Sequence, residues 1–197
     1  MGTNYIAPIW RMPRNFNKDN LSNYSINFNG STDYISMVKP ALEDNILSGL
    51  EKFSISVWYN ARTLPTDGGP PFEDKAILGA WTSGVTQMLL YWDDPNGWRF
   101  LMSNGTTPSD VVWGTATTTN EWHHIVVTFD GSTIRFYHDN GDPETDSGLG
   151  PVNTSASAWK IGVDITSPTP TRYWDGKLSQ FCLFDYALQI VTGKPLS

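Results

Sequence analysis

The stretch Trp122-His123-His124-Ile125-Val126-Val127-Thr128-Phe129-Asp130-Gly131, running on through Ile134 to Phe136-Tyr137, decides the fold. Ile125, Val127 and Phe129 fall on alternate positions, so they share one face of a strand. Asp130-Gly131 is tight-turn chemistry, and Ile134 and Phe136 realign on the return. A period of two on both sides of a turn describes a β-hairpin with one buried face. Phe53-Ser54-Ile55-Ser56-Val57-Trp58-Tyr59 repeats the pattern. Phe53, Ile55, Val57 and Tyr59 face the core, and Ser54, Ser56 and Trp58 take the other face, where the serines can meet solvent.

Working outward, the same alternation predicts strands at 24–28, 33–38, 76–82, 86–92, 98–102, 111–113, 159–163 and 177–184. Between them stand Asn29-Gly30, Asn96-Gly97, Asn104-Gly105, Asn140-Gly141 and Asp175-Gly176, dipeptides in which glycine supplies positive φ without steric cost. Helical signals are weak: one turn through Tyr186-Ala187-Leu188 capped by Asp185, and another from Glu43 to Leu50. Pro65 to Pro71 and Asp164 to Arg172 read as surface loops, the places where binding residues concentrate. The expectation is an all-β antiparallel sandwich over residues 23–192. An extended arm, 1–22, precedes it, because Pro8 and Pro13 oppose helix and the asparagines after them oppose strand. Residues 193–197 form a short tail.

A chain of 197 residues buries roughly 70% of its unfolded surface and needs neither disulfide nor structural metal to fold. The single cysteine, Cys182, excludes an intrachain bridge. The net charge of −7 hides an asymmetry, since residues 1–18 hold Arg11, Arg14 and Lys18 and no acid. The remainder is therefore strongly acidic and lacks the basic clusters that neutralise phosphates, so nucleic acid is not an expected partner. No apolar run reaches the roughly 20 residues of a membrane helix. Met1 to Arg14 lacks the apolar stretch of a signal peptide, and Ile6 breaks the myristoylation pattern.

In order and spacing, four segments resemble laminin-G-like domains of the concanavalin-A-like group. These are Tyr24 to Ile35, Phe53 to Trp58, Trp122 to Tyr137, and Trp174-Asp175-Gly176-Lys177-Leu178-Ser179-Gln180-Phe181 with Asp185-Tyr186-Ala187-Leu188. The resemblance covers 24–190 and implies a two-sheet jelly roll, with Trp58 and Trp122 as framework residues. It implies little about activity, because this sandwich hosts lectins, glycosidases and adhesion domains alike. The family's closing strand often carries an acidic pair where this chain has Ser179 and Gln180. The arm segment Tyr5-Ile6-Ala7-Pro8-Ile9-Trp10-Arg11-Met12-Pro13 resembles the start of structural proteins of marine bacterial viruses.

Hydrolysis of glycosides needs two facing carboxylates. In the glucanase branch they come from a Glu-x-Asp-x-Glu strand, which is absent. Asp142-Pro143-Glu144-Thr145-Asp146 has the acids in another order and reads as a turn. There is no Gly-x-Ser-x-Gly elbow, and Cys182 reads as a buried structural thiol. His123 and His124 are strand neighbours whose side chains diverge, so they do not share a zinc ion. The chain is thus expected to be no enzyme and to require no cofactor.

Calcium is the metal that the resemblance allows, held by rim carboxylates, with Asp93, Asp94 and Asp164 as candidates. Nine tryptophans make sugar stacking the other candidate chemistry. Trp92-Asp93-Asp94-Pro95-Asn96-Gly97-Trp98 frames an acidic, amide-bearing turn, so Trp92, Asp94, Asn96 and Trp98 are the candidate carbohydrate contacts, with Trp81 and Trp113 behind them; subunit contact and plain packing are the loop's two other readings. Two functions follow. One is a virion decoration protein on the particle surface, docked on a capsid protein or on its own copies through Ile9, Trp10, Arg11 and Arg14. The alternative is an extracellular lectin-like adhesin for host or environmental carbohydrate.

Overall fold

The computed structural model describes residues 25–37, 51–65, 74–82, 85–94, 96–103, 108–113, 117–147, 159–164 and 171–190. Twelve strands form two antiparallel six-stranded sheets, with no helix among the described residues. One sheet holds β1 (Ile26–Asn29), β3 (Phe53–Ala61), β8 (His123–Phe129), β9 (Thr133–His138), β10 (Glu144–Ser147) and β12 (Asp175–Phe184). Its spatial order is β1-β12-β3-β8-β9-β10. The other holds β2 (Ile35–Met37), β4 (Lys75–Thr82), β5 (Val85–Asp93), β6 (Gly97–Ser103), β7 (Pro108–Trp113) and β11 (Trp159–Ile161), in the order β2-β11-β4-β5-β6-β7. The all-β two-sheet sandwich expected from the alternation is the observed fold.

The expected hairpin forms as β8–β9, with Val127 opposite Phe136 and Phe129 opposite Ile134. Asp130 stabilises its turn by accepting the backbone N–H groups of Ser132 and Thr133. Phe53, Ile55, Val57 and Tyr59 point into the core as the alternation requires. There they meet the other sheet: the Phe53 and Phe100 rings lie 6.4 Å apart, and those of Tyr59 and Trp98 lie 4.7 Å apart. Aromatic side chains span the gap between the sheets and carry much of the apolar burial that holds the sandwich together. The edges are guarded against strand addition: β10 carries Glu144 and Asp146, and β7 opens on Pro108.

Five local expectations need correction. Asp142 to Asp146 is not wholly a turn, since β10 begins at Glu144, pairing it with Phe136. Asp175-Gly176 opens β12 rather than turning the chain. The glycine is required there because φ is 142° and a Cβ would lie 2.2 Å from the Asn60 carbonyl oxygen. Cys182 is exposed, not buried. The register of β12 against β3 shifts between Ser179 and Cys182, with Gln180 at a φ of 49°, and this bulge changes which side chains face inward. Finally, Asp185 caps no helical turn. The segment after β12 crosses β3 instead, where the Ser54 hydroxyl donates to Tyr186 O and accepts from Leu188 N, both at 2.8 Å. Ser54 is therefore covered rather than solvated. The turn expected from Glu43 to Leu50 lies outside the described residues.

Candidate functional site

The β5–β6 hairpin, the residue before β4 and the ends of the late loop meet at one rim. Asp164 and Thr171 exchange backbone hydrogen bonds of 3.0 and 2.9 Å, which pins the two ends of the loop between them. Arg172 follows with a positive φ of 56° and a carbonyl that accepts Ala76 N at 2.8 Å. That backbone clamp aims its guanidinium. Nε lies 2.9 Å from Asp74 Oδ2, Nη1 lies 3.0 Å from Asp164 Oδ2, and Cζ sits 5.1 Å from the Tyr91 ring centre. Asp74 Oδ1 also accepts Asp94 N at 3.1 Å.

One step along β5, the alternation turns Asp93 another way. Its Oδ2 accepts Arg99 Nη1 at 2.7 Å and Asn96 Nδ2 at 3.2 Å. Arg99 stands over the same Tyr91 ring, at 5.7 Å. Burial pushes the Tyr91 hydroxyl above its ordinary pKa, and the charge of Arg99 partly opposes that. The rim therefore carries two part-exposed guanidinium groups and one exposed amide, oriented by carboxylates that are themselves largely buried.

The structure separates the residues that the sequence grouped together. Trp92 and Trp98 are 3% and 0% exposed, so neither offers a ring face to a sugar. Trp98 donates to the Tyr59 hydroxyl at 3.0 Å, and Trp92 donates to Pro65 O at 2.8 Å. This corrects the stacking role. Both residues sit on the inward face of sheet positions that pair across β5–β6, so a turn flanked by tryptophans is here a core feature. Asn96 is exposed as that role requires, whereas Asp94 is buried. The side chains of Trp81 and Trp113, and the arm residues Ile9, Trp10, Arg11 and Arg14, lie outside what is described.

Of the expected calcium ligands, Asp164 and, through Asp74, Asp94 join one group, while Asp93 belongs to another. The cation among them is Arg172, which contacts Asp74 and Asp164 directly. As arranged, the group does not fit a calcium ion unless that ion displaces the guanidinium. Sequence reading missed Arg172, Arg99 and Asp74. A basic residue at a loop end carries no signal of a partner such as Asp74, which lies nearly a hundred positions earlier in the chain.

A family model described as the concanavalin A-like lectin/glucanases superfamily matches residues 29–189. No curated protein matches the chain in sequence. Among solved structures, it is similar to a native heptameric SAP-like pentraxin from Limulus polyphemus, with 15% identity, TM-score 0.60, and coverage of 84% of this chain and 77% of that one. It is also similar to domain 4 of a GH43 extracellular arabinanase from Geobacillus stearothermophilus in complex with arabinotriose, with 16% identity, TM-score 0.59, and coverage of 84% and 72%. A third is the CBM40 of the Ruminococcus gnavus IT-sialidase, with 12% identity, TM-score 0.59, and coverage of 80% and 92%. With the family model spanning most of its length, the chain belongs to the concanavalin A-like lectin/glucanase superfamily.

Proposed function

We propose that this chain is a non-enzymatic, lectin-like carbohydrate-binding module whose contact surface is the rim around Asp93, Asn96, Arg99 and Arg172. The observation that carries the reading is the Asn96–Asp93–Arg99 chain of hydrogen bonds at the β5–β6 turn, set beside Arg172 over the shared Tyr91 ring. Preoriented polar groups at a loop-lined rim bind hydroxyls at low ordering cost. Two of the similar structures are named for arabinotriose and for a sialidase carbohydrate-binding module, which is in keeping with this reading.

The test is glycan-array binding of the multivalently displayed chain, in calcium and then in EDTA, for the wild type, Asn96→Ala and Arg99→Gln. Specific binding that falls about tenfold or more in both variants supports the rim, the size expected when one hydrogen bond to a charged group is lost. Binding unchanged in both variants moves the site elsewhere, and no binding to any glycan overturns the reading. The alternative of a virion decoration protein rests on residues 1–22 and their resemblance. Deletion of 1–22 should abolish particle incorporation, and a truncated chain that still decorates particles refutes it.

A further inference from the structure

Away from the rim, all three histidines of the chain gather about one carboxylate. β8 and β9 run antiparallel with Ile125 opposite His138, which brings the start of β8 beside the end of β9. His123 and His138 both turn into the protein, and their rings stack at 5.4 Å with 20° between planes. Asp139, the next residue, adopts a φ of 48° and brings its carboxylate to the edge of both rings. Its Oδ2 lies 2.6 Å from His123 Nδ1 and 3.6 Å from His138 Nδ1. One donor atom from each of the three residues falls within 4.8 Å of the others.

We infer that His123, His138 and Asp139 form a binding site for a zinc-class divalent transition metal ion, held by His123 Nδ1, His138 Nδ1 and Asp139 Oδ2. Two imidazoles and one carboxylate suit such an ion rather than calcium, which takes oxygen ligands. Zinc–ligand bonds of about 2.0–2.1 Å place tetrahedral donors about 3.4 Å apart. The carboxylate's separations of 2.6 and 3.6 Å bracket that value and all three donors lie within 4.8 Å of one another, so seating the ion needs movements on the order of 1 Å.

The second argument is that each ligand is already held by its far atom, as metal-binding side chains are. His123 Nε2 lies 3.2 Å from Thr118 O and 3.0 Å from Thr118 Oγ1. His138 Nε2 lies 2.7 Å from the Tyr59 hydroxyl. Asp139 Oδ1 accepts His124 N at 2.8 Å. With a metal on both Nδ1 atoms, both Nε2–H groups become donors, to Thr118 O and to Tyr59. The Tyr59 oxygen then accepts from His138 and from Trp98 Nε1, and its own proton goes to Thr117 Oγ1 at 2.8 Å. The ion takes the place of the proton between His123 Nδ1 and Asp139, and the neutral ring keeps that proton on Nε2 as the other tautomer. The Asp139 side chain is 43% exposed, so the ion can arrive from that side and keep water in its remaining positions.

The experiment is calorimetric titration of the full chain with Zn²⁺, paired with visible absorption on Co²⁺ substitution. Expected are one ion per chain and the cobalt bands of a low-coordinate nitrogen–oxygen site that zinc bleaches. Asp139→Asn and His123→Asn should each weaken binding by well over tenfold, and Tyr59→Phe by about tenfold to a hundredfold. His124→Gln removes a histidine that donates only its backbone to Asp139, and it should bind as the wild type does. Circular dichroism of each variant establishes that it is folded. The inference is overturned if the folded wild type takes up no stoichiometric Zn²⁺, if Asp139→Asn and His123→Asn bind unchanged, or if His124→Gln loses binding as they do.

Discussion

Replacing Arg172 by Gln exposes the electrostatics of the rim. In the native chain the guanidinium contacts Asp74, whose side chain is 7% exposed, and Asp164, which is fully buried. Removing one partner of a buried ion pair costs about 3–5 kcal/mol, because the remaining charge keeps its desolvation penalty. Arg172 itself is 31% exposed, so water can enter behind a glutamine, and the lower end, about 3 kcal/mol, is the working figure. For a chain of this size each kcal/mol moves Tm by about 2–4 °C, so Arg172→Gln should melt about 6–12 °C below the wild type. The vacated position is then ringed by carboxylates, which a hard divalent ion can occupy. Calcium at about 100 times its Kd would return about 2.7 kcal/mol and restore most of the lost Tm. The assay is differential scanning calorimetry of both proteins with and without calcium. A variant that melts within 2 °C of the wild type (about 0.5–1 kcal/mol) would show that Arg172 does not neutralise these acids. A variant that falls as expected but gains no more from calcium than the wild type would show that the acids do not converge.

Stability of the metal-free chain should fall as pH drops from about 6.5 towards about 4. Burial depresses the pKa values of both His124 and His138 to about 4, so the unfolded chain binds more protons across that window. Each contributes up to roughly 3 kcal/mol, present above the unfolded value and lost below it, and His124→Gln should flatten the urea-midpoint profile. Gly176→Ala should cost more than about 2 kcal/mol in chemical denaturation, since it adds strain at positive φ to a collision with Asn60 O. Trp98→Ala should lower stability by about 3–5 kcal/mol as a core truncation, read from the same denaturation curves. Cys182 should react with an aromatic disulfide reagent in the folded chain, with a rate that rises above neutral pH because partial desolvation by its neighbours raises the pKa of the exposed thiol.

The alternation in Phe53 to Tyr59 and in Ile125 to Phe136 was enough to establish strands, their buried faces and the central hairpin, because a strand side chain has only two directions to choose from. The turn residues placed most boundaries for the same local reason. Where the local rule met a bulge, at Ser179 to Cys182, or a strand glycine, at Gly176, the sequence pattern misled, since only neighbouring strands impose those departures. The two candidate clusters were legible in part. Asp93, Asp94, Asn96 and Asp164 stood out as turn polar groups, and His123 and His124 were correctly expected to diverge. Their partners were not visible. Arg172 reaches Asp74 across nearly a hundred positions of chain, and His138 meets His123 through the pairing of two strands. The tryptophans failed for the converse reason. Their composition resembles a sugar platform, and only the packing of one sheet on the other decides whether a ring faces solvent or Tyr59. Sequence alone determined periodicity, turns and charge, which are local. Tertiary structure decided burial and convergence, which depend on registers between strands distant in sequence.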